Sequence, residues 1–151
     1  MTSIHLTTEI TAKIGVCFDV CRDVDMHKLS TRQTNEQAIA GRTKGLCELG
    51  DTITWEAKHF GIKQQLTVVI SKFEFPYFFE DTMLSGAFRS MRHEHHFETK
   101  GGITIMNDTF EYEVPFGFIG KLFDFLILKR YMMRFLLTRN AFLKEMAERS
   151  I

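Results

Sequence analysis

Residues 117–148 read GFIGKLFDFLILKRYMMRFLLTRNAFLKEMAE, a stretch without proline in which apolar residues recur at helical spacing. The predicted apolar stripe consists of Leu122, Phe125, Leu126, Met132, Met133, Leu136 and Leu137. The predicted cationic side and end consist of Lys129, Arg130, Arg134, Arg139, Lys144 and Arg149. A helix of this length extends about 45 Å, which is enough to cross a whole β-sheet.

The N-terminal part predicts one strand followed by two short helices. Residues 4–10 alternate apolar and polar side chains, which indicates a strand. Apolar residues between 14 and 24 fall at helical spacing, and Thr11 is predicted to cap that helix. A second short helix is predicted over residues 25–29, with Asp25 as its cap.

The middle of the chain predicts six strands separated by short, glycine-rich connections. These strands are Glu36–Lys44, Thr52–Phe60, Lys63–Ser71, Tyr77–Met83, Phe88–Thr99 and Gly102–Val114. Short connections imply antiparallel neighbours, and Pro115 ends the last strand because proline cannot donate to a central ladder. The prediction is one α+β domain, residues 1–151, in which a curved antiparallel sheet of about seven strands wraps round the C-terminal helix. Such a sheet encloses more volume than side chains readily fill.

The amino-acid composition argues against some classes of protein and favours others. The chain has 151 residues with 19 Lys and Arg against 19 Asp and Glu, and this lack of basic excess argues against nucleic acid as a partner. We find no signal-peptide pattern and no apolar run of about 20 residues, so we expect a cytoplasmic protein without integral membrane contact. Three cysteines suit buried, reduced thiols, and 15 Phe with 8 Met suit a cavity for an apolar guest.

The sequence MRHEHHFE, residues 91–98, carries three histidines whose directions follow from strand alternation. An apolar residue at each end of the odd-numbered set marks that set as the inward face. His93 and His95 are therefore predicted to point inward, and His96 is predicted to point to solvent. By the same reasoning, His59 points inward from an earlier strand.

The following strand is predicted to turn its even-numbered residues inward, namely Met106, Asp108, Phe110, Tyr112 and Val114. A two-residue turn at 100–101 sets His93 opposite Asp108, whereas a turn at 101–102 sets His95 opposite Asp108. Both registers match the apolar pattern, so the sequence leaves the choice open. In either case Asp108 faces an inward histidine across the ladder.

These residues predict a polar cluster of His59, Arg89, His93, His95 and Asp108 inside an apolar chamber. A His–Asp pair that only fixes strand register and a set of polar anchors for a ligand both fit the pattern. A metal site is less favoured because nothing matches a zinc finger, a zinc ribbon or the HExxH signature. We therefore predict neither a metal nor a cofactor.

Four segments together resemble a known superfamily: AIAGRTKGL, LGDTITWEAKHFG, FFEDTMLSGAFRSMRHEHHFE and MNDTFEYEVPFG. In this order they are similar to the START-like, or SRPBCC, proteins, and specifically to the polyketide-cyclase-like ligand-binding members from bacteria. The resemblance covers nearly the whole chain and implies the helix-grip fold. It also implies a deep apolar cavity for lipids, polyketides or steroids. Members include carriers, cyclases, dehydratases and hydrolases, so the fold alone does not choose an activity.

The predicted function is binding of a small hydrophobic molecule that has a polar end. The predicted ligand-binding residues are Trp55, His59, Arg89, Met91, His93, His95, Phe97, Met106, Asp108, Phe110 and Tyr112. The alternative is an enzyme of the cyclase or dehydratase kind, with His93 or His95 as general base and Asp108 orienting it. The basic side of the last helix could also serve as an interaction surface, and a homodimer is compatible with the sequence.

Overall fold

The computed structural model describes residues 1–150. Its strands are β1 Thr2–Ile10, β2 Gln37–Gly41, β3 Thr52–His59, β4 Ile62–Glu74, β5 Phe78–Ser85, β6 Ser90–Lys100 and β7 Ile103–Glu113. Its α-helices are α1 Ile14–Arg22, α2 Val24–Ser30, α3 Gly117–Phe123 and α4 Lys129–Arg149. A 3₁₀ turn covers Arg32–Thr34, and a π-helical turn, Asp124–Leu128, joins α3 to α4.

All seven strands form one antiparallel sheet in the order β1-β7-β6-β5-β4-β3-β2. Strands β2 to β7 make the predicted meander, and β1 joins its far edge beside β7. Register shifts in the β2–β3 and β4–β5 pairs bend the sheet, as bulges do. The predicted α+β architecture, a curved sheet with a long C-terminal helix and two short helices after the first strand, is confirmed.

The caps of the two short helices differ from the prediction. Lys13, not Thr11, occupies the N-cap position of α1, and its side chain makes no capping hydrogen bond. Asp23, not Asp25, caps α2, because its Oδ1 accepts from the backbone N–H of Asp25 at 2.8 Å and of Met26 at 3.3 Å. The Asp25 carboxylate instead accepts from the backbone N–H of Gly45. The chain therefore breaks between the helices two residues earlier than predicted.

The predicted apolar stripe of the C-terminal helix is only partly correct. Met132 and Leu136 are buried, but Leu122, Phe125, Leu126 and Leu137 are exposed. Arg139, assigned by sequence to the solvated side, is only 4% exposed. The π-helical turn has i→i+5 hydrogen bonds in place of the i→i+4 bonds of an α-helix, so it rotates the residues before it relative to those after it. A stripe drawn with uninterrupted α-helical spacing therefore cannot stay on one face.

The interior has two parts of different packing. The filled end, defined by Ile10, Cys17, Phe18, Cys21, Phe79, Phe97, Met106, Leu143 and Ala147, is a continuous apolar cluster between the sheet, α1 and the end of α4. The ring of Phe18 makes edge contacts there with Phe73 and Phe79 at centroid distances of 5.3 and 5.2 Å. All three cysteines are buried and free. Within residues 1–150 no helix is long and apolar enough to span a bilayer.

Candidate functional site

A cavity of about 650 Å³ lies between the concave face of the sheet and the C-terminal helix. Its apolar wall includes Trp55, Ala57, Val68, Met91, Phe110 and Leu136. Internal sites for small molecules commonly have volumes of about 300–1,000 Å³ and mostly apolar walls with few polar groups. This volume is therefore in the range that holds a small hydrophobic guest.

The imidazoles of His93 and His95 project from β6 into this cavity, as predicted. The turn lies at residues 101–102, so His95 is directly opposite Asp108. Asp108 Oδ1 nevertheless contacts both rings. His93 Nε2–H donates to it at 3.0 Å, and His95 Nδ1 lies 2.9 Å away without good hydrogen-bond alignment. The Asp108 carboxylate thus contacts both neighbouring imidazoles on the side away from the cavity.

Asp81 of β5 joins this pair and was missed by the sequence analysis. It is paired with His93 across the ladder, and its Oδ2 accepts from His95 Nε2 at 3.1 Å. The alternation of β5 carried a signal, because Phe79 and Asp81 belong to the same inward-facing set. Only the pairing of β5 with β6, however, brings Asp81 to the histidines. We call Asp81, His93, His95 and Asp108 the imidazole cluster.

Burial and mutual contact set the charges in the imidazole cluster. Burial alone raises a carboxyl pKa, but His93 and His95 outweigh it and hold the pKa of Asp108 well below its usual value. Burial also opposes ionisation of Asp81, but the hydrogen bond from His95 and the charges of both imidazoles lower its pKa. Burial and the neighbouring imidazole lower the pKa of His93 to about 4. Despite burial, two carboxylates raise the pKa of His95.

Arg139 of α4 also lines the cavity, although the sequence placed it in solvent. Its Nη1 donates to Asn140 Oδ1 at 2.9 Å, and Asn140 Nδ2 donates to Asp108 Oδ2 at 2.7 Å. In the described chain no carboxylate lies within ion-pairing distance of this guanidinium. A buried cation without a paired anion is costly, so its remaining donors are available to a guest in the cavity.

His59 belongs to a second polar group and not to the imidazole cluster. Its Nδ1 is hydrogen-bonded to the hydroxyl of Tyr131 at 2.6 Å. Nearby, His27 Nε2–H donates to Glu36 Oε1 at 3.1 Å, and the His27 ring lies against Trp55 at a centroid distance of 4.2 Å. Of the predicted five-residue cluster, His59 is therefore separate from His93, His95 and Asp108.

The structure places the predicted ligand-binding residues in different positions. Those on the cavity wall are Trp55, His59, Met91, His93, His95 and Phe110. Arg89 is exposed and lies 3.9 Å from a carboxylate oxygen of Glu113, because it precedes β6 and does not follow its alternation. Phe97 and Met106 pack in the filled end, since the sheet meets α1 there and leaves no space.

Two further predicted residues face inward without lining the cavity. Asp108 lies behind the imidazoles and is covered by His93, His95 and Asn140. Tyr112 is fully buried, and its hydroxyl donates to Asp124 in the π-helical turn. Both side chains therefore help to position residues around the cavity and do not line it themselves.

Comparison with known proteins identifies the fold. No family model and no curated protein matches the chain. Among solved structures, the protein TTHA0849 from Thermus thermophilus is similar with a TM-score of 0.78 at 16% sequence identity. The aligned region covers 95% of each chain. A START superfamily protein from Mycobacterium smegmatis has a TM-score of 0.74 at 12% identity over 99% of each chain. Ginseng major latex-like protein 151 from Panax ginseng has a TM-score of 0.68 at 15% identity over 97% of each chain.

These similarities establish a START-like, helix-grip fold, in agreement with the resemblance in the sequence. The shared feature is the curved sheet closed by a long C-terminal helix. Identities this low report the fold alone, and one fold carries many activities. Any function therefore has to be argued from the cavity and its polar groups.

Proposed function

We propose that this protein binds a small hydrophobic molecule with a polar end inside its cavity. The apolar body of the molecule would contact the wall formed by side chains such as Trp55, Val68 and Phe110. Its polar end would lie at the imidazole cluster beside Arg139. The START-like fold and the 15 Phe and 8 Met of the composition agree with this proposal.

The observation that carries the proposal is an unfilled apolar volume whose wall includes the buried Arg139. A cavity of about 650 Å³ is costly to maintain, because its lining atoms lose packing partners. Arg139 lines this volume, and no carboxylate within residues 1–150 lies at ion-pairing distance from it. A guest with an apolar body and a hydrogen-bond-accepting end would offset both costs.

Native mass spectrometry of freshly purified protein is the direct test. We expect a mass increment that corresponds to a co-purified small molecule, which organic extraction should remove and identify. The same spectrum reports the number of subunits. A protein that carries no guest and also fails to bind a fluorescent long-chain fatty acid or a fluorescent sterol would contradict the proposal.

Filling the cavity should abolish binding. Ala57→Phe places a phenyl ring into the hollow from β3 and should weaken affinity for the fluorescent fatty acid by at least about tenfold, equivalent to about 1.4 kcal/mol. Ala141→Phe makes the same exchange on the exposed side of α4 and is the matched control. Titration of both variants by fluorescence checks the expectation, and equal affinities would place the guest elsewhere.

The enzyme hypothesis keeps one specific observation in its favour. His93 Nε2–H donates to Asp108, which is the orientation that leaves the other ring nitrogen free to take a proton from a bound substrate. If the protein is a cyclase or dehydratase, His93→Gln should abolish turnover of a bound polyketide-like substrate while affinity persists. Equal loss of binding and turnover would favour the binding function.

A further inference from the structure

A hydrophobic guest does not explain why Asp81, His93 and His95 lie so close together. One nitrogen or oxygen atom from each of these residues lies within 4.8 Å of those from the other two. The closest pair, His95 Nε2 and Asp81 Oδ2, is already 3.1 Å apart. In a tetrahedral zinc site with bonds of about 2.0–2.1 Å, neighbouring ligand atoms are separated by about 3.4 Å. Small side-chain movements would therefore bring the three atoms to binding distance.

We propose that Asp81, His93 and His95 bind a divalent transition-metal ion at the cavity wall. Two imidazole nitrogens and one carboxylate oxygen are the ligand set of open zinc sites and of non-haem iron sites. The inference is independent of the hydrophobic guest, and it goes against the expectation of no metal drawn from the sequence. That expectation depended on local spacing, and Asp81 comes from a different strand.

Asp108 supplies the outer contact that such a site requires. Histidines that bind metals usually donate their other ring N–H to a carboxylate, which fixes the tautomer and the orientation of the ring. Asp108 receives Nε2–H of His93, which leaves Nδ1 of that ring for the metal. It also faces Nδ1 of His95, so the ion would bind at Nε2, which now donates to Asp81 and would release its proton to solvent. Asn140 in turn donates to the second oxygen of Asp108 and holds it in place.

The charge and the access of the site also fit a cation. Asp81 and Asp108 contribute two negative charges, which together match the charge of a divalent ion. All three proposed ligands line the cavity, so the open side of the ion would face the polar end of a guest. Three protein ligands and one open position form the arrangement that binds water or a ligand on zinc.

The test is Zn²⁺ titration of the full chain after chelator treatment, followed by isothermal calorimetry and elemental analysis. We expect one Zn²⁺ per chain. Asp81→Asn, His93→Gln and His95→Gln should each weaken the affinity by at least about 100-fold, and Asp108→Asn by about 10- to 100-fold. Circular dichroism of each variant checks that it has folded.

His96→Gln is the matched control, because His96 lies on the same strand with its ring exposed on the outer face. Its affinity for Zn²⁺ should stay within about twofold of the unmodified chain. Nuclear magnetic resonance of the unmodified chain gives a readout that needs no variant. Zn²⁺ should shift the ring ¹⁵N signals of His93 and His95 and leave those of His96 unchanged.

Three results would overturn the metal site: no stoichiometric binding, binding that survives both His93→Gln and Asp81→Asn, or ring shifts confined to other histidines. The fluorescent fatty acid is titrated into the same samples. Its binding without Zn²⁺ uptake would refute the metal site alone. Zn²⁺ uptake by a protein that carries no co-purified guest and binds neither the fatty acid nor the sterol would refute the proposed guest alone.

Discussion

At the scale of single residues, buried charge is the most informative feature of this protein. Glu36, Asp108 and Arg139 are all buried at or behind the cavity wall. Burying a charge costs several kcal/mol unless partners compensate it, and apolar replacements of such groups are often neutral or stabilising. Asp108 has three polar neighbours, but Arg139 has no ion-paired carboxylate among the residues that the structure describes. These three buried charged residues are therefore better explained by the proposed ligand binding than by a contribution to stability.

Glu36 should make stability depend on pH. Burial favours its neutral form, but the charges of His27, His59 and Arg139 and the hydrogen bond from His27 outweigh burial and lower its pKa. A lowered pKa in the folded state contributes stability that is present above the unfolded pKa, near 4.3, and is lost as the pH falls through the folded value. Glu36→Gln should thus cost about 1–3 kcal/mol at pH 7.

Urea unfolding between pH 7 and pH 3 measures this effect. The difference between the unmodified chain and Glu36→Gln should be constant above about pH 5 and should shrink below about pH 4.3. Glu98→Gln, at an exposed position of β6, is the control for general effects of removing a carboxylate. If the difference in the free energy of unfolding grew as the pH fell, the predicted direction of the pH dependence would be wrong.

At the scale of elements, the π-helical turn is held to the sheet by one buried carboxylate. Asp124 accepts from the hydroxyl of Tyr112 on β7 and from the hydroxyl of Thr2 on β1. These bonds join two neighbouring strands to the junction between α3 and α4. A π-helical turn is less common than a continuous α-helix and often marks a functional position. Here the turn sets which side of α4 faces the cavity.

Removing the Tyr112 hydroxyl should destabilise this junction. Tyr112→Phe leaves the buried Asp124 with one donor fewer, and hydrogen bonds to charged groups contribute about 1.5–3 kcal/mol. Chemical denaturation should show a loss of that size. Tyr77→Phe, at a side chain that is 56% exposed, should change stability by less than about 0.5 kcal/mol. Equal losses for both variants would contradict a role for the bond.

At the scale of the whole molecule, the close-packed cluster and the cavity occupy different ends. The filled end packs α1 and the last turns of α4 against the sheet as one continuous apolar cluster. The other cluster, around Trp55, Phe110 and Leu136, forms the wall of the cavity. Because a side chain at a cavity wall has packing partners on one side only, it contributes less dispersion energy than one inside a close-packed core.

Two equivalent truncations on α4 test this division. Leu143→Ala in the filled end should cost about 3–5 kcal/mol, and Leu136→Ala at the cavity wall should cost at least about 1 kcal/mol less. Both leucines are almost fully buried, so exposure alone would predict equal losses. Urea denaturation compares the two variants. A larger loss for Leu136→Ala would contradict the division into a filled end and a hollow.

The sequence by itself determined the strands and their inward faces, because strand alternation and short turns are local properties. The START-like fold was implied by the resemblance of four segments to a known superfamily. It predicted correctly that His93, His95 and Asp108 face inward, since a two-residue turn fixes parity even where it leaves the register open. Only the tertiary structure decided that Asp81 meets the histidines and that Arg139 is buried. Those outcomes depend on which strands pair and on how a π-helical turn rotates the last helix, and no local pattern encodes either of them.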